Sequence, residues 1–298
     1  MKFQIVCDSS ADLPDAYAAE KHVTVVPFYV SLDGETYLKE GVQLSIADFY
    51  RSMAEHAECY PKTSMPSIQD YIDAFLPFVR ERQPVLCICL TRKFSGSLQS
   101  AMNARAALLE DYPDAEIAVM DSQLVTALEG LFVSEACRLR DLDLDLASAV
   151  ALLEPIRSTA RIIFTTKDLK YLEHGGRLNK ATRIAGTMLN LKPVLTFCDG
   201  ELGPVSVCRG RKKSLEKVTA NFFDFIREQK IDLSEYLFGT GLGLDVPEYD
   251  GFVADLEARF AQENLHPAEW IKVHIGATIG VHTGPYPMGL GLLKRCAI

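Results

Sequence analysis

The sequence predicts an α/β protein of two domains: a mostly parallel βαβ-type domain over residues 1–160 and a mixed-sheet α+β domain over residues 161–298. In the first 160 residues, short apolar runs alternate with segments of helical periodicity, which is the pattern of βαβ units. Beyond residue 160, turn signals such as Asp199-Gly200 join apolar runs into hairpins between the helices. A chain of 298 residues is also long enough to form two cores of ordinary domain size.

The segment 84–109 illustrates the βαβ pattern. A short apolar run behind a proline predicts a buried strand, and apolar side chains recur at helical spacing from Leu98 onwards. Ser95, Gly96 and Ser97 lie between the two, where serine and glycine suit the N-terminus of a helix. The free N–H groups and the helix dipole at such a position also favour an anion. The pattern leaves two interpretations open, a plain helix cap and an anion-binding loop.

The other elements of the first domain follow from periodicity and from capping signals. Ser45 with Asp48 and Ser67 with Asp70 have the capping-box spacing that marks a helix start. In chain order we predict a strand at 3–7, a helix ending near Lys21, a strand at 23–30, a hairpin through Asp33-Gly34 into 35–38, helices ending near His56 and Arg82, a strand at 115–120, and helices at 125–140 and 146–159.

Three polar segments directly follow predicted parallel strands: residues 8–10, 95–97 and 121–122. The carboxyl ends of parallel strands meet at one edge of a sheet, and ligands bind beyond that edge. We therefore expect these segments to lie close together. Thr63, in a polar loop bounded by prolines, is a candidate to join them.

The second domain mixes hairpins with helices and contains no internal repeat. Residues 276–285 form a segment of mostly small residues. The predicted elements are strands at 161–166, 192–197, 201–208, 236–239, 270–275 and 290–295, a short helix at 168–174, and helices at 179–190, after 209–213 and at 247–263.

Composition excludes several classes of function. A net charge of −9 argues against nucleic acid as the main partner, because phosphate binding needs a basic surface. The eight cysteines are scattered among apolar residues without a C-x-x-C pair, which is typical of a reducing cytoplasm. The strand predicted directly after Met1-Lys2 is too short an apolar run for a signal sequence, and no apolar stretch reaches membrane-spanning length. We predict a cytoplasmic protein.

Motifs for cofactors are missing from the sequence. It contains no P-loop, and Gly239, Gly241 and Gly243 have the wrong spacing for a dinucleotide fingerprint. No H-E-x-x-H motif occurs, and the six histidines have no ligand spacing with acids or cysteines. We expect neither a metal nor a cofactor.

Two features suggest chemistry at an anionic group. Ser95 and His282 together suggest a nucleophile and base, although no G-x-S-x-G motif or third member is evident. Basic clusters on an acidic chain favour an anionic ligand or an acidic partner. The clusters are Lys167/Lys170/Arg177/Lys180/Arg183 and Arg209/Arg211/Lys212/Lys213.

Taken together, these stretches resemble the DegV family of bacterial fatty-acid-binding proteins, and the matching pieces occur in order over nearly the whole chain. They are Asp8-Ser-Ser-Ala-Asp-Leu-Pro14, Thr63-Ser-Met-Pro-Ser67, Phe94-Ser-Gly-Ser-Leu-Gln-Ser-Ala101, Asp168-Leu-Lys-Tyr-Leu-Glu-His-Gly-Gly-Arg177, Leu191-Lys-Pro-Val-Leu195 and residues 274–285. Met65 departs from the pattern, since the family often has Gln there.

The resemblance implies a non-catalytic protein that holds one long-chain fatty acid in a tunnel between two α/β domains. By the same resemblance, Thr63 and Ser95 hydrogen-bond the carboxylate and His282 closes on it. In kinase-partnered members, a separate kinase converts the bound acid to an acyl-phosphate, and Arg177 and Arg209 match the arginines near the head group and the kinase contact. The candidate ligand-binding residues are Thr63, Ser64, Ser95, Gly96, Arg177, Arg209 and His282.

Two alternatives remain open beside this carrier function. The protein is a serine-dependent acyl hydrolase or transferase using Ser95 and His282, or it carries a different apolar anion. Separately, the predicted 179–190 helix has an apolar and a basic face, which suits a transient contact with a membrane surface during unloading.

Overall fold

The computed structural model of the protein describes residues 2–56, 59–167, 169–177 and 191–297. Its first half alternates strands and helices, as the sequence predicts. In chain order the elements are β1 (Gln4–Asp8), α1 (Asp15–Glu20), β2 (Val23–Val26), β3 (Tyr29–Ser31), β4 (Leu38–Lys39), α2 (Ile46–Glu55), β5 (Lys62–Ser64), α3 (Ile68–Arg80), β6 (Val85–Cys89), α4 (Ser97–Asp111), β7 (Ile117–Asp121), α5 (Thr126–Asp141) and α6 (Leu146–Ile156).

Four strands form a parallel sheet in the order β2-β1-β6-β7. All five residues of β6 are buried, because helices cover both faces of the sheet. Val85, Cys87 and Cys89 pack with α3 and α4, whereas Leu86 and Ile88 pack with α5 on the opposite face. The predicted parallel sheet is confirmed.

A second, three-stranded antiparallel sheet has the order β4-β3-β5. The prediction of one strand over residues 23–30 is wrong, because β2 belongs to the parallel sheet and β3 to this smaller one. Pro27 separates the two strands and lacks the N–H that a continuous ladder requires. The small sheet matters for function because β5 carries Thr63.

The second half mixes hairpins and helices, as predicted. Its described elements are β8 (Arg161–Thr165), α7 (Lys170–His174), β9 (Leu191–Cys198), β10 (Glu201–Arg209), α8 (Arg211–Gln229), β11 (Tyr236–Leu242), α9 (Val246–Glu263), β12 (Glu269–His274), α10 (Ala277–Thr283) and β13 (Met288–Lys294).

Six strands form a mixed sheet in the order β10-β9-β8-β13-β11-β12, in which only β11 and β12 pair in parallel. An aromatic cluster from α8, α9 and the sheet fills one side of it, with Phe222, Phe238 and Phe260 at its centre. Helix α5 packs on the other side and also contacts β1. One helix of the first half therefore lies between the parallel and the mixed sheets.

Helix α10 is an element that the sequence does not predict. Residues 276–285 contain three glycines at intervals of four, and glycine is a poor helix former. The segment nevertheless forms a helix over Ala277–Thr283 that packs against α2, β3 and β5 of the first half. Tertiary contacts override local propensity at this position.

Several predictions stay outside what the structure describes or tests. The predicted 179–190 helix and its proposed membrane contact fall in residues 178–190, outside the described ranges, as does Asp168. The predicted domain boundary at residues 160/161 lies between the 3₁₀ helix at Arg157–Thr159 and β8, and it stays a prediction. Within the described ranges, no helix is both long and apolar enough to cross a lipid bilayer.

Candidate functional site

A cavity of about 320 Å³ is lined by residues from both halves of the protein. Its walls come from β5 and α5 of the first half and from β8, β11, α10 and β13 of the second. Most of the lining side chains are apolar, among them Leu128, Ile162 and Leu290. An apolar cavity of this size with a few polar groups is the usual form of a site for a small organic ligand.

The structure brings six of the seven predicted site residues to this cavity. The exception is Arg209, which ends β10, is exposed and is not among the described residues that line the cavity. Its role stays a prediction. The six lining residues are Thr63, Ser64, Ser95, Gly96, Arg177 and His282.

Thr63 and His282 are in contact across the two halves, with 3.2 Å between Oγ1 and Nε2, although they lie 219 residues apart in the chain. Thr63 is held by the pairing of β5 with β3, where it lies opposite Val30. His282 lies in the last turn of α10. The unexpected helix is thus the element that delivers the imidazole to the threonine.

The imidazole of His282 is neutral at physiological pH. Burial, and to a lesser degree the positive charge of Arg177, lower the pKa of His282 from its ordinary value of 6.5 to about 4. Nδ1 is buried without a hydrogen-bond partner among the described residues. Gly175 closes that side, since a Cβ at this position would lie 2.1 Å from Nδ1.

The tautomer of His282 follows from these surroundings. A buried acceptor without a partner is tolerated better than a buried N–H without one, so we assign the proton to Nε2. Nε2–H then donates to Thr63 Oγ1, and the hydroxyl proton of Thr63 is free to point at a ligand. The pair therefore acts as a hydrogen-bond donor without carrying a charge.

We expect the His282 signals in an imidazole NMR titration to stay at their neutral positions from pH 8 down to pH 6. The pKa of about 4 lies below that of a histidine in an unfolded chain. As the pH falls from 6.5 towards 4, this histidine becomes protonated in the unfolded chain before it does in the folded protein, so the free energy of unfolding decreases. Exposed His266 supplies the comparison signal. A charged His282 at pH 7 would contradict the assignment.

Ser95 lies just before α4 and differs in detail from the predicted cap. Gly96 is the N-cap, while Ser95 Oγ accepts a hydrogen bond from the backbone N–H of Ser97 at 3.1 Å. The hydroxyl proton of Ser95 is not used in that bond and is free to donate to an anion in the cavity. The arrangement is compatible with both a helix cap and an anion-binding loop, because the Ser95 hydroxyl can accept a hydrogen bond from the helix and also donate one to a ligand.

The loop of Ser95 is fixed through Ser97, whose hydroxyl donates to Asp8 Oδ2 at 2.8 Å and accepts from the hydroxyl of Tyr71 at 2.6 Å. Asp121 also accepts from the backbone N–H of Arg92 at 3.3 Å. The predicted meeting of the three polar strand ends at one edge of the sheet is therefore confirmed.

Arg177 supplies positive charge at the same end of the cavity. Its Nε donates to the carbonyl of Phe94 at 3.1 Å and a terminal nitrogen donates to the carbonyl of Gly175 at 2.6 Å. Burial lowers the pKa of Arg177, but a guanidinium remains charged at neutral pH. These bonds to backbone hold the charge in place beside Ser95 and His282.

The geometry lacks the contacts that a serine hydrolase requires. Within the described residues, Ser95 and His282 are not hydrogen-bonded to each other, and His282 Nε2 contacts Thr63 instead. Nδ1 has no partner there, so no carboxylate orients the imidazole as in a catalytic triad. Similarly, no group of His, Cys, Asp and Glu suited to a metal ion occurs in the described part of the chain.

Several residues of this region are not predicted from the sequence. Thr126 and Thr278 line the cavity and donate their hydroxyls to Asp12 and Glu40. The sequence contains one signal of such buried polar contacts, an isolated acid inside an apolar run. This acid is Glu129, which is fully buried in α5. Such an acid must find donors from elsewhere in the fold.

Comparison with known proteins assigns the chain to a family. The sequence profile described as "Uncharacterised protein, DegV family" matches residues 2–295. A DegV domain-containing protein of Caldanaerobacter subterraneus is 32% identical over 292 residues, covering 97% of this chain and 98% of the relative.

Solved structures give the same result. A protein from Eubacterium ventriosum, described as a stearic acid-binding protein, has a TM-score of 0.92 at 36% identity and covers 98% of both chains. A DegV family protein from Thermus thermophilus, described by its fatty acid binding, has a TM-score of 0.85 at 28% identity, covering 99% of this chain and all of that one. The protein described above, with its parallel and mixed sheets and the cavity between its halves, therefore belongs to the DegV family.

Proposed function

We propose that the protein binds one long-chain fatty acid, with the acyl chain in the apolar cavity and the carboxylate at Thr63, Ser95 and His282. The observation that carries the proposal is the contact between Thr63 and His282 in a mostly apolar cavity that Ser95 also lines. We call these three residues the head-group clamp. The similar proteins described as fatty-acid-binding support the same ligand class.

The chemistry of the clamp suits a carboxylate. The hydroxyl protons of Thr63 and Ser95 are both available to donate, and neither group titrates near neutral pH. Arg177 adds a fixed positive charge within the same cavity lining. Ser64 and Gly96 are neighbours of Thr63 and Ser95 in the chain and line the same cavity.

The acyl chain supplies most of the affinity. Burying about fifteen methylenes at ~0.8 kcal/mol each gives roughly 12 kcal/mol before the costs of binding. A hydrogen bond to a charged group contributes only about 1.5–3 kcal/mol. The clamp therefore sets the orientation of the ligand more than its retention.

We propose further that the held carboxylate is presented to a separate cytoplasmic kinase, which forms an acyl-phosphate. In that step a carboxylate oxygen attacks the terminal phosphoryl group of the nucleotide, and the nucleoside diphosphate leaves. Arg177 is near the carboxylate, and exposed Arg209 is the candidate contact with the kinase. No cofactor bound by this chain is needed for the step.

Native mass spectrometry of protein purified from a bacterial host tests ligand binding. We expect a bound mass of fatty-acid size that is released by organic extraction and identified as a long-chain acid. If another apolar anion were extracted, that anion would be the ligand in place of a fatty acid. Repeated isolation of the protein without any lipid would count against the proposal. Labelling of Ser95 by a fluorophosphonate would favour the acyl hydrolase instead.

Ser95→Ala and Thr63→Ala separate head-group recognition from retention of the chain. Each variant removes one donor to a charged group, so we expect fatty-acid affinity to fall about tenfold to a hundredfold. Acyl-phosphate formation with the kinase should fall further, because the carboxylate is no longer oriented. The measurement compares dissociation constants with initial rates, and complete loss of lipid from both variants would refute this division of roles.

A further inference from the structure

Four buried carboxylates lie behind the cavity wall, and the proposed function uses none of them directly. Asp8 and Glu129 are 0% exposed, Asp12 is 7% exposed and Glu40 is 6% exposed. None of the four forms an ion pair with a lysine or arginine in the described ranges. Burying a carboxylate without an ion pair costs free energy, so hydrogen bonds must compensate for the lost hydration.

Two of these carboxylates hold the start of α10. Asp12 Oδ1 accepts from the backbone N–H of Gly276 at 2.9 Å. Glu40 accepts from both the backbone N–H and the hydroxyl of Thr278, at 2.9 and 2.6 Å. They satisfy the free donors of the first turn, a task that capping side chains normally perform from the adjacent sequence.

The approach of Asp12 and Glu40 is so close that position 276 has no room for a side chain. A Cβ at Gly276 would lie 2.6 Å from both Asp12 Oδ1 and Glu40 Oε1. The first half thus supplies the N-terminal caps of a helix that belongs to the second half. That helix carries His282 to Thr63.

Asp8 performs the corresponding task for Ser95. Its Oδ2 accepts from Ser97 Oγ at 2.8 Å and from the backbone N–H of Leu90 at 3.2 Å. Ser97 in turn donates its backbone N–H to Ser95 Oγ. One carboxylate therefore fixes the end of β6 and the start of α4 around the loop that carries Ser95.

Glu129 supports Asp8 from α5. The Ser10 hydroxyl lies 2.6 Å from Asp8 Oδ1 and 2.8 Å from Glu129 Oε2, but it has only one proton to donate. Burial raises the pKa of Glu129 well above its ordinary value. This shift favours the protonated carboxyl, which can donate from Oε2 to Ser10 while the Ser10 hydroxyl donates to Asp8. Glu129 Oε1 has no hydrogen-bond partner among the described residues.

We propose that Asp12 and Glu40 are positioning residues for His282 and that Asp8 is a positioning residue for Ser95, so that the two sides of the head-group clamp are set by separate carboxylates. The inference rests on the proposed function for the identity of the ligand. The placement of His282 by Glu40 does not depend on it. Side chains that orient ligand-binding residues in this way determine how accurately a site is preformed.

The test compares Glu40→Gln and Asp8→Asn with Glu135→Gln. Glu135 is also a buried acid, 2% exposed, but it pairs with Arg138 and the backbone of Cys296, away from the clamp. Two quantities are measured on the full chain. They are the imidazole NMR signals of His282 without ligand, and the ratio of the dissociation constants for oleyl alcohol and oleic acid.

In Glu40→Gln, we expect the His282 signals to move and the preference for the acid over the alcohol to fall about tenfold, with alcohol affinity changed less than about twofold. In Asp8→Asn the preference should fall similarly while the His282 signals stay at their wild-type positions. Glu135→Gln should change neither quantity. Unmoved His282 signals together with an unchanged preference in Glu40→Gln would overturn the inference.

Thr278 provides a second route if Glu40→Gln does not fold. Thr278→Val removes the hydroxyl that donates to Glu40 and should reproduce the change in His282, whereas Thr278→Ser retains the hydroxyl and should not. Equal behaviour of the two variants would contradict the positioning role. Wild-type protein that binds neither lipid would refute the proposed function, while the ligand-free NMR comparison would still decide the placement of His282.

Discussion

Replacing Ala127 by phenylalanine is expected to weaken fatty-acid binding more than about a hundredfold. Ala127 lies in the first turn of α5 and lines the cavity, so the added ring occupies space that the acyl chain needs. Displacing about four methylenes at ~0.8 kcal/mol each costs about 3 kcal/mol of binding free energy. A dissociation constant measured by competition with a fluorescent fatty acid would detect this loss.

The control for Ala127→Phe is Ala106→Phe, which places the same ring on the exposed surface of α4. Thermal unfolding of both variants should remain cooperative, because a cavity accepts a larger side chain with less strain than a packed core. Unchanged affinity in folded Ala127→Phe would mean that the ligand does not occupy this cavity. Ala106→Phe should bind like the wild type.

Gly175→Ala is expected to abolish most of the preference for a fatty acid over the matching alcohol without altering any residue of the clamp. The new Cβ would lie 2.1 Å from His282 Nδ1. It would also lie 3.1 Å from the carbonyl oxygen of Tyr171, which limits how far the backbone of residue 175 can shift. The imidazole must therefore move away from Thr63. We expect about a tenfold to hundredfold loss of preference and about 1–3 kcal/mol less stability.

Gly251→Ala is the matched control for Gly175→Ala. Gly251 lies in α9 and has no atom within 4 Å of a Cβ at that position. Alanine there should stabilise the protein by about 0.4–1 kcal/mol, through helix propensity and a less flexible unfolded chain. If Gly175→Ala kept the preference of the wild type, His282 would not be part of recognition.

Local patterns in the sequence determine much of the fold. The capping box at Ser67 and Asp70 starts α3 at the expected residue, with both reciprocal bonds present. Continuous apolar strands such as β6 indicated a parallel sheet covered on both faces, and this sheet brings the polar strand ends together. Among the described residues of the second half, hairpin and helix signals also indicated the correct element types, except at α10.

Helix α10 and the assembly of the site could not be predicted from local sequence, because both depend on long-range contacts. The helical state of residues 277–283 is stabilised by Asp12 and Glu40, which lie more than 200 residues earlier, so no window around Gly276 contains the signal. Local patterns indicated Ser95 and Gly96 as a possible anion-binding loop, but the assignment of all seven residues to one ligand site came from the resemblance. Their convergence on one cavity is visible only in three dimensions, and Arg209 does not join the other six.

A crystal structure of the protein purified with its natural lipid would show directly where the ligand binds. We expect electron density for a single acyl chain in the cavity, with carboxylate oxygens within about 3 Å of Thr63 Oγ1 and Ser95 Oγ. An acyl chain bound elsewhere, or a carboxylate at the opposite end of the cavity from His282, would contradict it.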